Sequence, residues 1–128
     1  MATCKKRILL VDDDVQLSRV LKIGLEGNGY EAKAENDGRR ALQVAREFRP
    51  DLIVLDMVMP GKDGGDVAQE LGDQKDVSGI PILFLTSLAS KEEEAKPRPG
   101  GETVLSKPIS VGELVKRIEK RLATGPAK

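Results

Sequence analysis

Histidine is absent from the 128-residue sequence and cysteine occurs once, at Cys4. No Ser-His-Asp triad, histidine-bearing zinc site or internal disulfide can be assembled from such a chain. Tryptophan is also missing, and the aromatic residues are Tyr30, Phe48 and Phe84. They offer no platform for stacking single-stranded nucleic acid, and they leave the core to aliphatic side chains. Charge of one sign is lacking as well: 21 basic residues balance 21 acidic ones, so net charge draws the chain neither to nucleic acid nor to an anionic membrane surface. No apolar run approaches the roughly 18 to 20 residues of a membrane-spanning helix, and the N-terminus has no apolar signal centre. The expectation is a soluble protein of the reducing cytoplasm, without direct contact to nucleic acid or membrane.

What is present suits one domain, with residues 1–124 folded and 125–128 a loose tail. Apolar residues are 39% and charged residues 33%, too apolar for disorder. Short continuous apolar runs at Ile8 to Val11, Leu52 to Leu55 and Ile82 to Leu85 have the pattern of strands buried on both faces of a parallel sheet. Tyr30 to Glu35, with Ala32 and Ala34 between charged neighbours, reads as a thinner outer strand, and Thr103 to Leu105 as a very short last one. Between them Leu17, Val20, Leu21 and Leu25 recur at helical spacing before Gly27-Asn28-Gly29, and Ala41, Leu42, Ala45 and Phe48 do so before Pro50. Val111, Leu114, Val115, Ile118 and Leu122 form a third stripe, opened by Ser110 and Glu113 in capping-box spacing. Strand and helix alternate five times, which predicts a doubly wound α/β domain with right-handed crossovers. The fourth crossover, Ser87 to Gly101, holds few apolar residues and carries Pro97, Pro99 and Gly100-Gly101. Its helix is expected to be short or irregular, ending before Pro97.

With the strands so placed, Asp12, Asp13 and Asp14 lie just past the first strand, Asp56 past the third, Thr86 past the fourth and Lys107 past the fifth. In an open parallel sheet those carboxyl ends converge where ligands bind. Crowded carboxylates repel one another, and a divalent cation with oxygen ligands, Mg²⁺ foremost, offsets that repulsion. A carboxylate, a hydroxyl and an ammonium around such a cation match the needs of phosphoryl transfer. In a chain without histidine, an aspartate is the credible nucleophile.

The strings RILLVDDD, PDLIVLDMVMPGKDG, ILFLTS and SKP, in this order, resemble the receiver domain of bacterial two-component response regulators over Arg7 to Leu122. That resemblance implies a flavodoxin-like five-stranded sheet in the order 2-1-3-4-5. It implies that Asp56 accepts a phosphoryl group from a sensor histidine kinase or phosphotransfer protein, and that the domain assists its own modification without being a turnover enzyme. By the same resemblance Asp12, Asp13, Asp56 and the Val58 carbonyl hold Mg²⁺, while Thr86 and Lys107 contact the phosphoryl group. Pro108 matches the proline of a cis Lys-Pro bond, and Pro60-Gly61 and Asp63-Gly64 match the loop after the acceptor. Asp14 falls outside the metal pair and reads as a helix cap.

Departures from the family pattern concern output. Val104 stands where the family usually has Tyr or Phe, so no aromatic switch is available there. The string GGET and Pro97 and Pro99 disturb the face through which many transcriptional regulators dimerise. The phosphorylation signal is therefore expected to run through Thr86 and Ser87 to Gly101 toward a downstream target protein that the sequence does not identify. Two other classes compete. A phosphorylation-independent interaction module is favoured by Val104 and the disturbed fourth helix, and opposed by the intact set Asp12, Asp13, Asp56, Thr86 and Lys107. A phosphohydrolase of the haloacid-dehalogenase type would use the Asp-x-Asp spacing of Asp12 to Asp14, but Gln16 breaks its motif and Asp56 would have no role.

Overall fold

Alternation along each apolar run decides the architecture, because successive strand residues point to opposite faces of a sheet. The computed structural model describes residues 5–57, 59, 64–86, 103–106 and 109–123, with backbone alone at 86, 103, 104 and 106. In it, β1 (Arg7–Val11), β2 (Glu31–Glu35), β3 (Leu52–Asp56), β4 (Ile82–Thr86) and β5 (Thr103–Ser106) form one parallel sheet in the order β2-β1-β3-β4-β5. Ile8 and Leu10 turn to one face, where α1 (Val15–Gly27) and α4 (Val111–Ala123) pack; Leu9 and Val11 turn to the other, against α2 (Ala41–Phe48) and α3 (Gly64–Gly72). Each fully buried Leu or Ile in these layers contributes about 1.5 to 3 kcal/mol through apolar burial. In the edge strand β2 only Ala32 is buried, as its polar pattern requires. The expected fourth crossover helix in residues 87–101 lies outside the described residues, as do Cys4, Val58, Pro60, Gly61, Asp63, Lys107, Pro108 and the tail 125–128.

Helix ends follow the side chains that cap them. The Asp14 carboxylate accepts a 3.0 Å hydrogen bond from Leu17 N, confirming it as the α1 N-cap. The chain leaves α1 through Gly29, whose φ of +92° is open to glycine at little cost. At the end of α2 the C-cap Arg49 takes a left-handed conformation just before Pro50 and its N–H returns to Ala45 O at 2.9 Å. The Ser110 hydroxyl accepts from Glu113 N at 3.1 Å, while the Glu113 carboxylate pairs along the helix with Arg117.

The α1 stripe differs from its sequence reading at one position. Val20 is 58% exposed, and Ser18 is buried beside Leu21 and Leu25 instead. In α2, Val44 joins Ala41 and Ala45 in the core, and Leu42 and Phe48 pack half-buried at its margin.

Candidate functional site

Two neighbouring strands deliver the acidic residues. Val11 and Leu55 are register partners in the β1–β3 ladder, so Asp12 and Asp56 follow them side by side at the carboxyl edge of the sheet. Asp12, Asp13 and Asp56 each present a carboxylate oxygen within 4.8 Å of the other two. Asp12 is 5% exposed and Asp56 4%, whereas Asp13 opens to solvent. Asp14 stands outside this triad; its N–H donates to Asp12 Oδ1 at 2.9 Å while its own carboxylate caps α1.

The backbone around these carboxylates is tied down on several sides. Asp12 N donates to Glu35 O at 3.1 Å, and Asp12 O accepts from the Asn36 side-chain amide at 2.7 Å. Beyond Asp56, Met57 N donates to Leu85 O at 3.1 Å and Met57 O accepts from Gly64 N at 2.9 Å. A Cβ on Gly64 would overlap the Asp56 carbonyl oxygen and lie 2.6 Å from Met57 Cα. Glycine at 64 is therefore what lets the start of α3 rest against the backbone of Asp56. In the adjoining β2–α2 loop the Arg39 guanidinium is engaged with Asp37, whose carboxyl its side-chain hydrogen bonds hold below the usual carboxylate range.

Thr86 ends β4 one residue past Leu85, the register partner of Asp56, and pairs with Ser106, the last residue of β5. The backbone of Thr86 is thus on the same edge, and Lys107 is the next residue after Ser106 in the sequence. Val58 and Lys107 themselves lie outside the described residues. Val104 is in register with Phe84, inside β5. Ser18 and Asn36, which hold the Asp12 and Asp14 backbone, carry no motif that marks them in the sequence.

Chemically, the triad is an oxygen-only donor set carrying no nitrogen or sulfur ligand, which selects a hard cation such as Mg²⁺ over zinc or copper. Three carboxylates this close together could hold such an ion between them. The residues fit the group that the sequence resemblance implied.

The family profile described as the response regulator receiver domain matches residues 8–119. The DNA-binding response regulator MtrA of Mycobacterium tuberculosis is 39% identical over 123 residues, covering 95% of this chain and 53% of that protein. The chain spans about half the length of such mycobacterial relatives. The polar-differentiation response regulator DivK of Brucella anthropi is 36% identical over 118 residues, 91% of this chain and 96% of its own. The solved structure of the Vibrio cholerae chemotaxis protein CheY4 superposes with a TM-score of 0.83 at 31% identity, covering 93% of this chain and 100% of that one. Among the described residues no helix is long and apolar enough to cross a membrane. With the parallel 2-1-3-4-5 sheet and the acidic triad at its edge, these matches show that the chain belongs to the receiver-domain family of response regulators, whose standard function is phosphorylation-dependent signalling.

Proposed function

We propose that Asp56 accepts a phosphoryl group from the phosphohistidine of a sensor kinase or phosphotransfer protein, and that the domain then signals to a downstream partner through a second conformation. The observation that carries this reading is the convergence of Asp12, Asp13 and Asp56 within 4.8 Å, with Asp56 buried at the end of a central strand. A buried carboxylate fixed on a rigid strand presents its oxygen for in-line attack on phosphorus with little reorganisation. The new bond is Asp56 Oδ–P, and the P–N bond to the donor imidazole breaks. Asp12 and Asp13, with the Val58 carbonyl, would hold Mg²⁺ beside Asp56. When bound, that cation neutralises charge on the phosphoryl oxygens. Lys107 is assigned a second positive charge for the same oxygens, and Thr86 a hydroxyl donor that follows the modified state. The acyl phosphate adds about two negative charges at this edge, which is the input for a population shift.

The apolar side chains Val15, Val20 and Ile23 are exposed on α1, which begins at this edge. They offer apolar contact surface to a protein donor that docks at this edge. The identity of the acceptor is tested by reductive trapping with borohydride followed by peptide mass mapping. An acyl phosphate on Asp56 is converted to homoserine at position 56, and homoserine found only at another aspartate would overturn the assignment.

A further inference from the structure

Among the described residues the buried polar or charged side chains are Asp12, Asp56 and Ser18. The first two belong to the acidic triad. Ser18 sits on α1 at 2% exposure, and its surroundings explain why a hydroxyl is kept there. Ser18 Oγ donates to Asp14 O at 2.9 Å and accepts from Asn36 Nδ2 at 3.2 Å. The same Asn36 amide reaches Asp12 O at 2.7 Å, and Ser18 Oγ lies 3.3 Å from that carbonyl. A serine hydroxyl has one hydrogen and an asparagine amide has two. Using the shortest contacts, each hydrogen is spent once: the hydroxyl on Asp14 O, the amide on Asp12 O and on Ser18 Oγ.

The consequence falls on one peptide plane. The Asp12 carbonyl belongs to the peptide that joins Asp12 to Asp13, so the Asn36 bond sets the direction in which Asp13 leaves Asp12. On the other side Asp12 N is held by Glu35 O, and Asp12 Oδ1 by Asp14 N. Asn36, on the loop after β2 and 24 residues from Asp12, is thus the cross-element brace for both members of the acidic pair. Ser18 in turn fixes the Asn36 amide from α1.

We propose that Asn36, oriented by Ser18, is a positioning residue for the divalent-cation site, holding the Asp12–Asp13 peptide so that both carboxylates address Asp56. The proposal rests on the reading that Mg²⁺ binds at this triad. Mg²⁺ tolerates little departure from octahedral geometry at ligand distances near 2.0 to 2.1 Å, so a peptide free to tilt costs affinity even where the fold survives. Loss of an outer-shell partner of a metal ligand raises metal dissociation constants by about 10- to 100-fold.

The test titrates Mg²⁺ into the full 128-residue chain by calorimetry, comparing the parent with Asn36→Ala, Ser18→Ala and Asn28→Ala. Asn28→Ala is the control, since it deletes a 2.8 Å side-chain bond to Gly24 O at the far end of α1. Hydrogen exchange at the Asp14 amide is followed in the metal-free proteins. Asn36→Ala is expected to raise the Mg²⁺ Kd by about 10-fold or more and to speed Asp14 exchange. Ser18→Ala is expected to do so less, and Asn28→Ala not at all. At saturating Mg²⁺ the phosphorylation rate of Asn36→Ala should return toward that of the parent, which a merely unstable variant would not show. Mg²⁺ binding that requires Asp56 but is indifferent to Asn36→Ala would overturn the positioning role alone. A parent chain that binds no Mg²⁺, or binds it equally after Asp56→Ala, would overturn the cation site and this role with it.

Discussion

Replacing Asp56 by asparagine should make the metal-free protein more stable, although it removes the proposed acceptor. The side chain is nearly isosteric, so packing at the end of β3 is retained, and the change is one negative charge. Asp12 and Asp56 are both buried, with oxygens no more than 4.8 Å apart. At that distance two unit charges repel by about 3.5 kcal/mol at an effective dielectric of about 20, and by about 0.9 kcal/mol in bulk water. The Asp12 term belongs nearer the first figure and the exposed Asp13 term nearer the second. Rotation of the carboxylates away from one another, and hydrogen bonds that the neutral amide makes less well, offset part of this. A net gain of about 1 to 2 kcal/mol is expected in chelator. The proposed Mg²⁺ binding should reverse the comparison: at a hundred times its Kd the cation would stabilise the parent by about 2.7 kcal/mol, and the asparagine variant far less. The assay is urea unfolding followed by far-ultraviolet circular dichroism, with and without Mg²⁺. Equal stability of the two proteins in chelator, or equal stabilisation of both by Mg²⁺, would refute the picture of a like-charge cluster relieved by a cation.

Gly64→Ala places a methyl group against the Asp56–Met57 backbone; unfolding midpoints should fall by the equivalent of about 1 to 3 kcal/mol and Mg²⁺ affinity should fall with them, whereas an unchanged midpoint would contradict the close approach of α3. Ile23→Lys alters an exposed side chain in the body of α1; transfer from a phosphohistidine protein should slow while modification by a small-molecule donor stays at the parent rate, and equal slowing of both would remove α1 from the docking face. Tyr30 is the single tyrosine, and burial first, then the charge of Glu119, pushes its hydroxyl above 10.0. Its neutral form is thereby favoured in the native state, so the associated stability is full below the unfolded value and declines as pH rises through the native one. A near-ultraviolet titration of the folded chain should have its midpoint above that of the urea-unfolded chain, and coincident midpoints would contradict the burial.

Strands β1, β3 and β4 were legible because their apolar residues are buried on both faces, which leaves a short continuous apolar run with no competing periodicity. The α4 stripe was equally plain: Leu114, Val115 and Ile118 are buried, and Val111 and Leu122 pack at the margin. The acidic triad was readable because strand ends converge at one edge, so positions 12, 13 and 56 could be joined without knowing any side-chain geometry. Val20 and Ser18 show where that legibility stops. Helical spacing places Val20 in the apolar stripe, whereas the structure exposes it and buries Ser18, whose hydroxyl finds partners in Asp14 and Asn36. The Asn36 bond spans 24 residues and two elements, and local spacing carries no trace of such a partner. Helix α3 was similarly faint, since it opens on Gly64 and buries only Val67 and Leu71 besides.

The most direct measurement is the intact mass of the chain after incubation with a small-molecule phosphodonor, with and without Mg²⁺, beside Asp56→Ala treated identically. A single labile phosphoryl adduct that requires both Mg²⁺ and Asp56 is the expected result. No adduct on the parent chain, or one that persists undiminished in Asp56→Ala, would contradict phosphorylation of Asp56 as the event that this site is built to support.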